Sequence, residues 1–168
     1  MILPMCALLF AIEVGERLPA MKGEFLTGRA ATLPGLAAGK VAFVAVGFSY
    51  QSRFAVEAWT NRFRADFGRE ARVTFFEVPM IGGMAVMGKW FIDSGMRRGT
   101  PKEDQEHVIT VYGGVGDWKK RLGFGTAAAG YLLLLDAEGR VAWKFTGSAT
   151  VDEASYRDLS SKVKGLLR

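Results

Sequence analysis

Residues Lys40 to Phe67 read KVAFVAVGFSYQSRFAVEAWTNRFRADF, and this stretch decides the fold. Val41 to Val46 is an uninterrupted apolar run containing three valines. Such a run predicts a central strand buried on both faces, because a strand with one wet face would alternate. After a short turn, Val56, Trp59, Phe63 and Phe67 recur every three or four residues. That spacing sets them on one face of a helix. Glu57, Asn61, Arg62 and Arg64 lie off the stripe. Ser49 or Ser52 can cap the helix by accepting from a free first-turn N–H, and Gly68 stops it.

Working outward from this βα unit, Arg72 to Val78 predicts a second strand, ended by Pro79. Met84, Met87 and Phe91 share one face of a helix expected from Gly83 to Ser94, with Gly95 at its end. Thr100-Pro101-Lys102-Glu103 has the residues of a capped start for a very short helix. His107 to Tyr112 is β-rich and is broken by Gly113, Gly114 and Gly116. Asp117 begins a short helix, DWKKRL, closed by Gly123. Tyr131 to Leu135 is a solid apolar strand, and Asp136 to Gly139 turns it into Arg140–Phe145. Alternation there predicts Val141, Trp143 and Phe145 on one face. Thr150-Val151-Asp152-Glu153 reads as a second capping box, opening a helix whose inward stripe is Tyr156, Leu159, Val163 and Leu166. Before the central unit, Val14 to Pro34 reads as a lead-in and a hairpin turning at Thr27-Gly28-Arg29.

The expected fold class is therefore α/β: a mixed central sheet with helices on both faces, plus an N-terminal β-hairpin extension. With 168 residues, one domain over 14–168 can bury a substantial core. Residues 1–13 are an apolar N-terminal segment, and MILPMCALLFA has the character of a signal remnant without its basic end. If it is one, the location is extracytoplasmic or membrane-associated; otherwise it is cytoplasmic.

The formal net charge of +5 makes the surface mildly basic, with acids interleaved among the lysines and arginines. No zinc-finger, helix-turn-helix or RNA-recognition signature accompanies the charge, so nucleic acid is not the expected partner. Cys6 is the single cysteine. One cysteine cannot form an intramolecular disulfide, nor supply both thiols of dithiol exchange. Met80, Met84, Met87 and Met96 lack a Cys or His among them, and His107 is a lone histidine, so no metal site is expected. The glycine-rich Gly82-Gly83 and Gly113–Gly116 are neither Walker nor dinucleotide fingerprints, and no cofactor is implied.

The element order, with GKVAFVAVGFSYQSRF and later YLLLLDAEGRVAW, resembles the thioredoxin superfamily, nearest its peroxiredoxin and TlpA-like branch. That resemblance implies a thioredoxin-like scaffold. It also implies that Ser49 stands where the family's nucleophilic cysteine would be, Ser52 where the second would be, and Gly130 where a cis-proline would be. All three hallmarks are thus replaced. The stretch from Trp90 to Thr150 is similar to a narrower thioredoxin-like group. This is the family that includes the mitochondrial factor assisting assembly of the membrane sector of ATP synthase. Gly130-Tyr131, Arg140, Trp143 and Gly147-Ser148-Ala149-Thr150 carry that likeness.

Two functional readings are open at this point. The first is a redox-inactive binding or assembly module, with a protein or peptide partner and a membrane surface nearby. It would use the degenerate turn, Ser49, Tyr50, Gln51, Ser52, Arg53 and Gly130. A second candidate partner surface is Trp90, Phe91, Arg97 and Arg98, since aromatic and arginine side chains are the usual interface anchors. The alternative is a non-thiol enzyme that binds glutathione or another small anion at the helix N-terminus. No residue is assigned a catalytic role, because neither serine has a base nearby in the sequence pattern.

Overall fold

The structure, a computed structural model, describes residues 10–83 and 88–168, with Trp90 and Phe91 described by backbone alone. The apolar segment up to Leu9 with Cys6, and Met84 and Met87, lie outside the described residues. Seven strands form one sheet in the order β2-β1-β5-β4-β3-β6-β7. In chain order these are β1 (Met21–Phe25), β2 (Ala30–Leu33), β3 (Val41–Gly47), β4 (Val73–Ile81), β5 (Ile109–Tyr112), β6 (Gly130–Leu135) and β7 (Val141–Gly147). The helices are α1 (Ser52–Phe67), α2 (Lys89–Gly99), α3 (Val115–Arg121) and α4 (Glu153–Leu166). The β3–β4 and β4–β5 pairings are parallel, whereas β6 and β7 add antiparallel strands beyond β3. The fold is the expected α/β mixed sheet, and its N-terminal hairpin joins the sheet itself through β1–β5 pairing.

Every residue of β3 is buried, as its unbroken apolar run requires. Val41, Phe43 and Ala45 face α1 and α4, where they meet Val56, Trp59, Phe63 and Phe67 of the α1 stripe with Tyr156, Leu159 and Val163 of α4. Ala42, Val44 and Val46 face the other layer, which includes Ile12, Leu18, Met21 and Trp118 of α3. β6 divides the same way, with Leu132 and Leu134 toward α1, and Tyr131, Leu133 and Leu135 away from it.

Six expectations are corrected. Val141 faces away from Trp143 and Phe145, because a bulge between Leu134 and Leu135 puts an extra residue into β7. A bulge breaks alternation and turns the side chains beyond it to the opposite face. The fourth stripe position of α4, Leu166, is 40% exposed, and Leu167 packs on the core in its place. The cap of α4 is Asp152, whose Oδ2 accepts from the Ser155 N–H at 2.8 Å, rather than Thr150. α2 runs on through Gly95 to Gly99, and the Thr100–Glu103 stretch yields a single 3-10 turn, Lys102–Asp104, with no side-chain cap. Pro79 does not end β4, which continues to Ile81 and pairs with Tyr112.

Candidate functional site

The turn between β3 and α1 is closed by its two serines. Ser49 Oγ accepts from the Ser52 N–H at 3.1 Å, which makes it the effective helix cap. Ser52 Oγ accepts from the Ser49 N–H at 3.2 Å and donates to the Ser49 carbonyl at 2.7 Å. Ser49 Oγ also donates to the Ala127 carbonyl at 2.5 Å, which ties the turn to the loop before β6. Both hydroxyl protons are therefore spent on backbone carbonyls. His107 lies elsewhere, stacked on Phe75 with ring centroids 4.1 Å apart and with Nδ1 at 2.9 Å from the Phe75 carbonyl. Neither serine has an imidazole or carboxylate to activate it among the described contacts.

Ser49→Ala removes the acceptor for Ser52 N–H and the tie to Ala127 together. We expect a loss of about 1–2 kcal/mol in chemical denaturation. A loss indistinguishable from zero would contradict the capping role.

A rung of three glycines lies beneath this turn. Gly47 pairs with Gly130, and Gly130 pairs with Gly147, across β3, β6 and β7 on the α1 face. A Cβ on Gly47 would collide with Ser52 Oγ, and one on Gly147 would come within 2.5 Å of Trp59 Nε1. At Gly130 the space is ordinary, with Ala55 Cβ at 3.5 Å. The rung lets the first turns of α1 sit directly on the strand ends. Gly130 is thus buried under α1, so it shapes the site from below.

The surface of the site is aromatic and cationic. Tyr50 is 70% exposed and Phe54 51%, and their rings meet edge-on at 6.5 Å. The Arg53 guanidinium lies 5.0 Å from the Tyr50 ring centre and 5.1 Å from that of Phe54, and donates to the Tyr50 hydroxyl at 3.1 Å. Arg53 also reaches Glu57 at 3.7 Å, while Gln51 is exposed beside it. Sequence reasoning singled out Tyr50 and missed Phe54. The signal was present, because Phe54 is four residues from Tyr50 and off the buried stripe.

Behind the turn, Phe48 packs on Phe124 and Tyr131, and Lys119 Nζ sits 4.4 Å from the Phe124 ring centre. Tyr131 Oη accepts from the N–H groups of Gly125 and Thr126 and donates to the Thr126 carbonyl, at 2.9 to 3.1 Å. This holds the loop that carries Ala127. The more conspicuous grooves lie elsewhere. One of about 430 Å³ runs along β7 and α4 past Trp143, Lys144 and Asp158. One of about 340 Å³ is lined by Ile12, Leu122, Tyr131 and Phe145.

The other candidate surface is carried by α2. Arg97 and Arg98 are exposed in its last turn. The Trp90 and Phe91 side chains lie outside what the structure describes. α2 is fastened to the β1–β5 region, since Lys89 Nζ bridges Glu24 at 2.9 Å and Asp93 at 2.6 Å, and Tyr112 donates to Asp93 at 2.7 Å. The β3–α1 turn stands two strands away from β5 in the sheet. The two candidate surfaces are therefore carried by different parts of the sheet. Among the described residues no three His, Cys, Asp or Glu side chains gather as a metal site, and no helix is long and apolar enough to cross a membrane.

Comparison with solved structures finds the same architecture. The chain is similar to the peroxiredoxin-like protein from Aquifex aeolicus, at 18% identity and a TM-score of 0.60, covering 93% of this chain and 88% of that one. It is similar to the thioredoxin domain of a thiol-disulfide oxidoreductase from Bacteroides vulgatus, at 18% identity and a TM-score of 0.58, covering 91% and 99%. It is also similar to BsSco, a member of the Sco family of cytochrome c oxidase assembly proteins, at 13% identity and a TM-score of 0.62, covering 92% and 96%. These identities speak for the fold alone. No curated protein matches the chain. The family model described as ATP10 protein matches residues 9–166. With nearly the whole chain spanned, this protein belongs to the ATP10 protein family and is an assembly-related module on a thioredoxin-like scaffold.

Proposed function

We propose that the chain acts by holding a protein partner during assembly of a membrane complex, without thiol exchange, through the surface at the head of α1. The observation that carries this is the exposed trio Tyr50, Arg53 and Phe54 on a turn whose serines are both engaged. Aromatic and arginine side chains on a rigid base make strong interface anchors, because they bury large area at little entropic cost. A pocket-bound small substrate is the weaker reading. The two grooves described above are lined by residues other than Ser49–Arg53, and Tyr50 and Phe54 stand exposed at the turn.

The test uses the full chain, immobilised, and the detergent-solubilised membrane sector of ATP synthase as the probe. Wild type is expected to retain it, and Tyr50→Ala/Phe54→Ala to lose about tenfold or more in affinity. Equal retention by the two would overturn the assigned surface. Reduction of insulin disulfides that survives Cys6→Ser would overturn the non-thiol reading.

A further inference from the structure

β7 is the outermost strand on its side of the sheet, so one row of its backbone N–H and carbonyl groups turns away from β6. The first of these groups are paired by the chain's own lead-in. Gly15 N–H donates to the Val141 carbonyl and Val141 N–H donates to the Glu16 carbonyl, both at 2.8 Å. Arg17 lies antiparallel to Arg140 beside them. Toward the N-terminus the lead-in leaves the edge. Gly15 has a φ of +95°, and Ile12 N–H donates to the Arg121 carbonyl at 2.8 Å, on the α3 side of the sheet. Lys144 Nζ fixes that departure by donating to the Ile12 carbonyl at 2.8 Å and to Glu13 at 2.7 Å. From Ala142 to Gly147 the backbone of β7 makes no hydrogen bond on its outer side among the described residues.

The groove of about 430 Å³ runs beside this outer row, between β7 and α4. Ala142 and Phe145 are partly buried against the α4 layer, and Ala154 is exposed on the facing helix, so the groove takes an apolar side chain. Val14, 57% exposed, also lines it. Asp158 accepts from the Trp143 indole at 2.9 Å, and Lys144 is held by Glu13. Lys162 is the exposed cation of the groove and pairs with no carboxylate among the described residues.

We propose that the outer edge of β7 from Ala142 to Gly147, with the groove beside it, is a docking site for an extended segment of a partner protein, which adds a strand to the sheet. Main-chain hydrogen bonds to β7 hold the segment. Side chains two apart along it point to the same face. On the face toward α4 the site fits an apolar side chain over Phe145 and Ala154 and an acidic one at Lys162. The lead-in shows in this chain what the edge accepts, since Gly15–Arg17 already pair with its first residues. This surface is separate from the exposed trio at the head of α1, and the proposal does not rest on the role of that trio.

A second copy of the chain fits the edge less well. Two β7 strands paired about a two-fold axis would bring their Lys144 side chains into one cross-strand cluster, and like charges there oppose pairing. Each lead-in would also keep the partner copy off Arg140 and Val141.

The experiment titrates the full chain with a capped synthetic peptide, TVTETVT, followed by amide chemical shifts and amide exchange. Its valines and glutamate share one face when it is extended. Saturable shifts are expected along Ala142–Gly147 and the facing side of α4. The outward amides of β7 should exchange fast in the free chain and at least tenfold more slowly with peptide bound. An analogue with N-methylated valine and glutamate, which cannot donate from those positions, should bind at least tenfold more weakly. Lys162→Glu, a change at an exposed position, should weaken TVTETVT several-fold and favour the lysine peptide TVTKTVT instead. Absence of saturable shifts at β7 overturns the proposal, as does equal binding of the N-methylated analogue. A peptide preference unmoved by Lys162→Glu overturns the acidic specificity. Slow exchange along the whole of β7 in the free chain, or a dimer in sedimentation that the peptide does not disturb, means that the edge is already covered and also overturns it.

Discussion

Trp59→Ala is expected to cost about 3–5 kcal/mol of folding stability, the range for emptying a buried aromatic site. Trp59 is 0% exposed at the centre of the layer between α1, α4 and the sheet. Its ring meets Trp143, Phe145 and Tyr156 at 5.4 to 6.3 Å, and Nε1 donates to the Ser148 carbonyl at 3.0 Å. Two of the three facing rings are themselves held, which limits collapse into the space. Trp143 donates to Asp158, and Tyr156 donates to Asp66. The same argument predicts a coupling. Gly147→Ala pushes a methyl against Trp59 and should cost about 1–3 kcal/mol alone. In the Trp59→Ala background that cost should fall sharply, since only the flexible end of Leu132, with Cδ1 at 2.9 Å, still stands in the way. Urea denaturation of the four chains checks both statements, and strict additivity would refute the steric account.

The elements that were legible in the sequence are those in which one period runs uninterrupted. The α1 stripe and the apolar runs of β3 and β6 fall where the spacing places them, because burial on a regular element leaves a regular trace. Where a local event breaks the period, the reading fails. The bulge in β7 turned Val141 to the other face, and a bulge leaves no mark in an alternating stretch. At α4 both Thr150 and Asp152 are good caps, and only the backbone decides between them. The glycine rung needed strand register as well as composition, because Gly47, Gly130 and Gly147 are neighbours only once β3, β6 and β7 are paired.

The site shows what this scaffold retains when serines stand at the turn. A hydroxyl is a poor nucleophile without a base, but it is a good cap and a good tie to a carbonyl. Ser49 and Ser52 fill those two roles, and the glycine rung brings α1 down onto the strand ends to make them possible. The head of the helix becomes a rigid mount. Rigidity suits binding, since an anchor held in place loses less entropy when a partner covers it. On this account the turn acts through what it displays, namely Tyr50, Arg53 and Phe54.

If that mount depends on the loop before β6 as well as on the serines, Tyr131→Phe should expose the dependence. The substitution keeps the ring that packs on Phe48 and Phe124 and removes only the hydroxyl. It strands the N–H groups of Gly125 and Thr126 and frees the Thr126 carbonyl. Each unsatisfied group costs about 1–3 kcal/mol where water cannot replace the partner. Gly125 and Thr126 are exposed, so water replaces part of what is lost, and the expected loss is about 1–2 kcal/mol. The more telling readout is local. Ala127 belongs to the same loop and accepts from Ser49, so loosening at Thr126 should pass to the turn. Amide-exchange protection at Ser52 and Arg53 should fall in Tyr131→Phe beyond the global change, while that of α4 falls only with global stability. A uniform fall across the chain would mean that Tyr131 is a core residue with no hold on the site. A fall concentrated at the turn would place Tyr131 among the residues that position Tyr50 and Phe54, although it is itself buried.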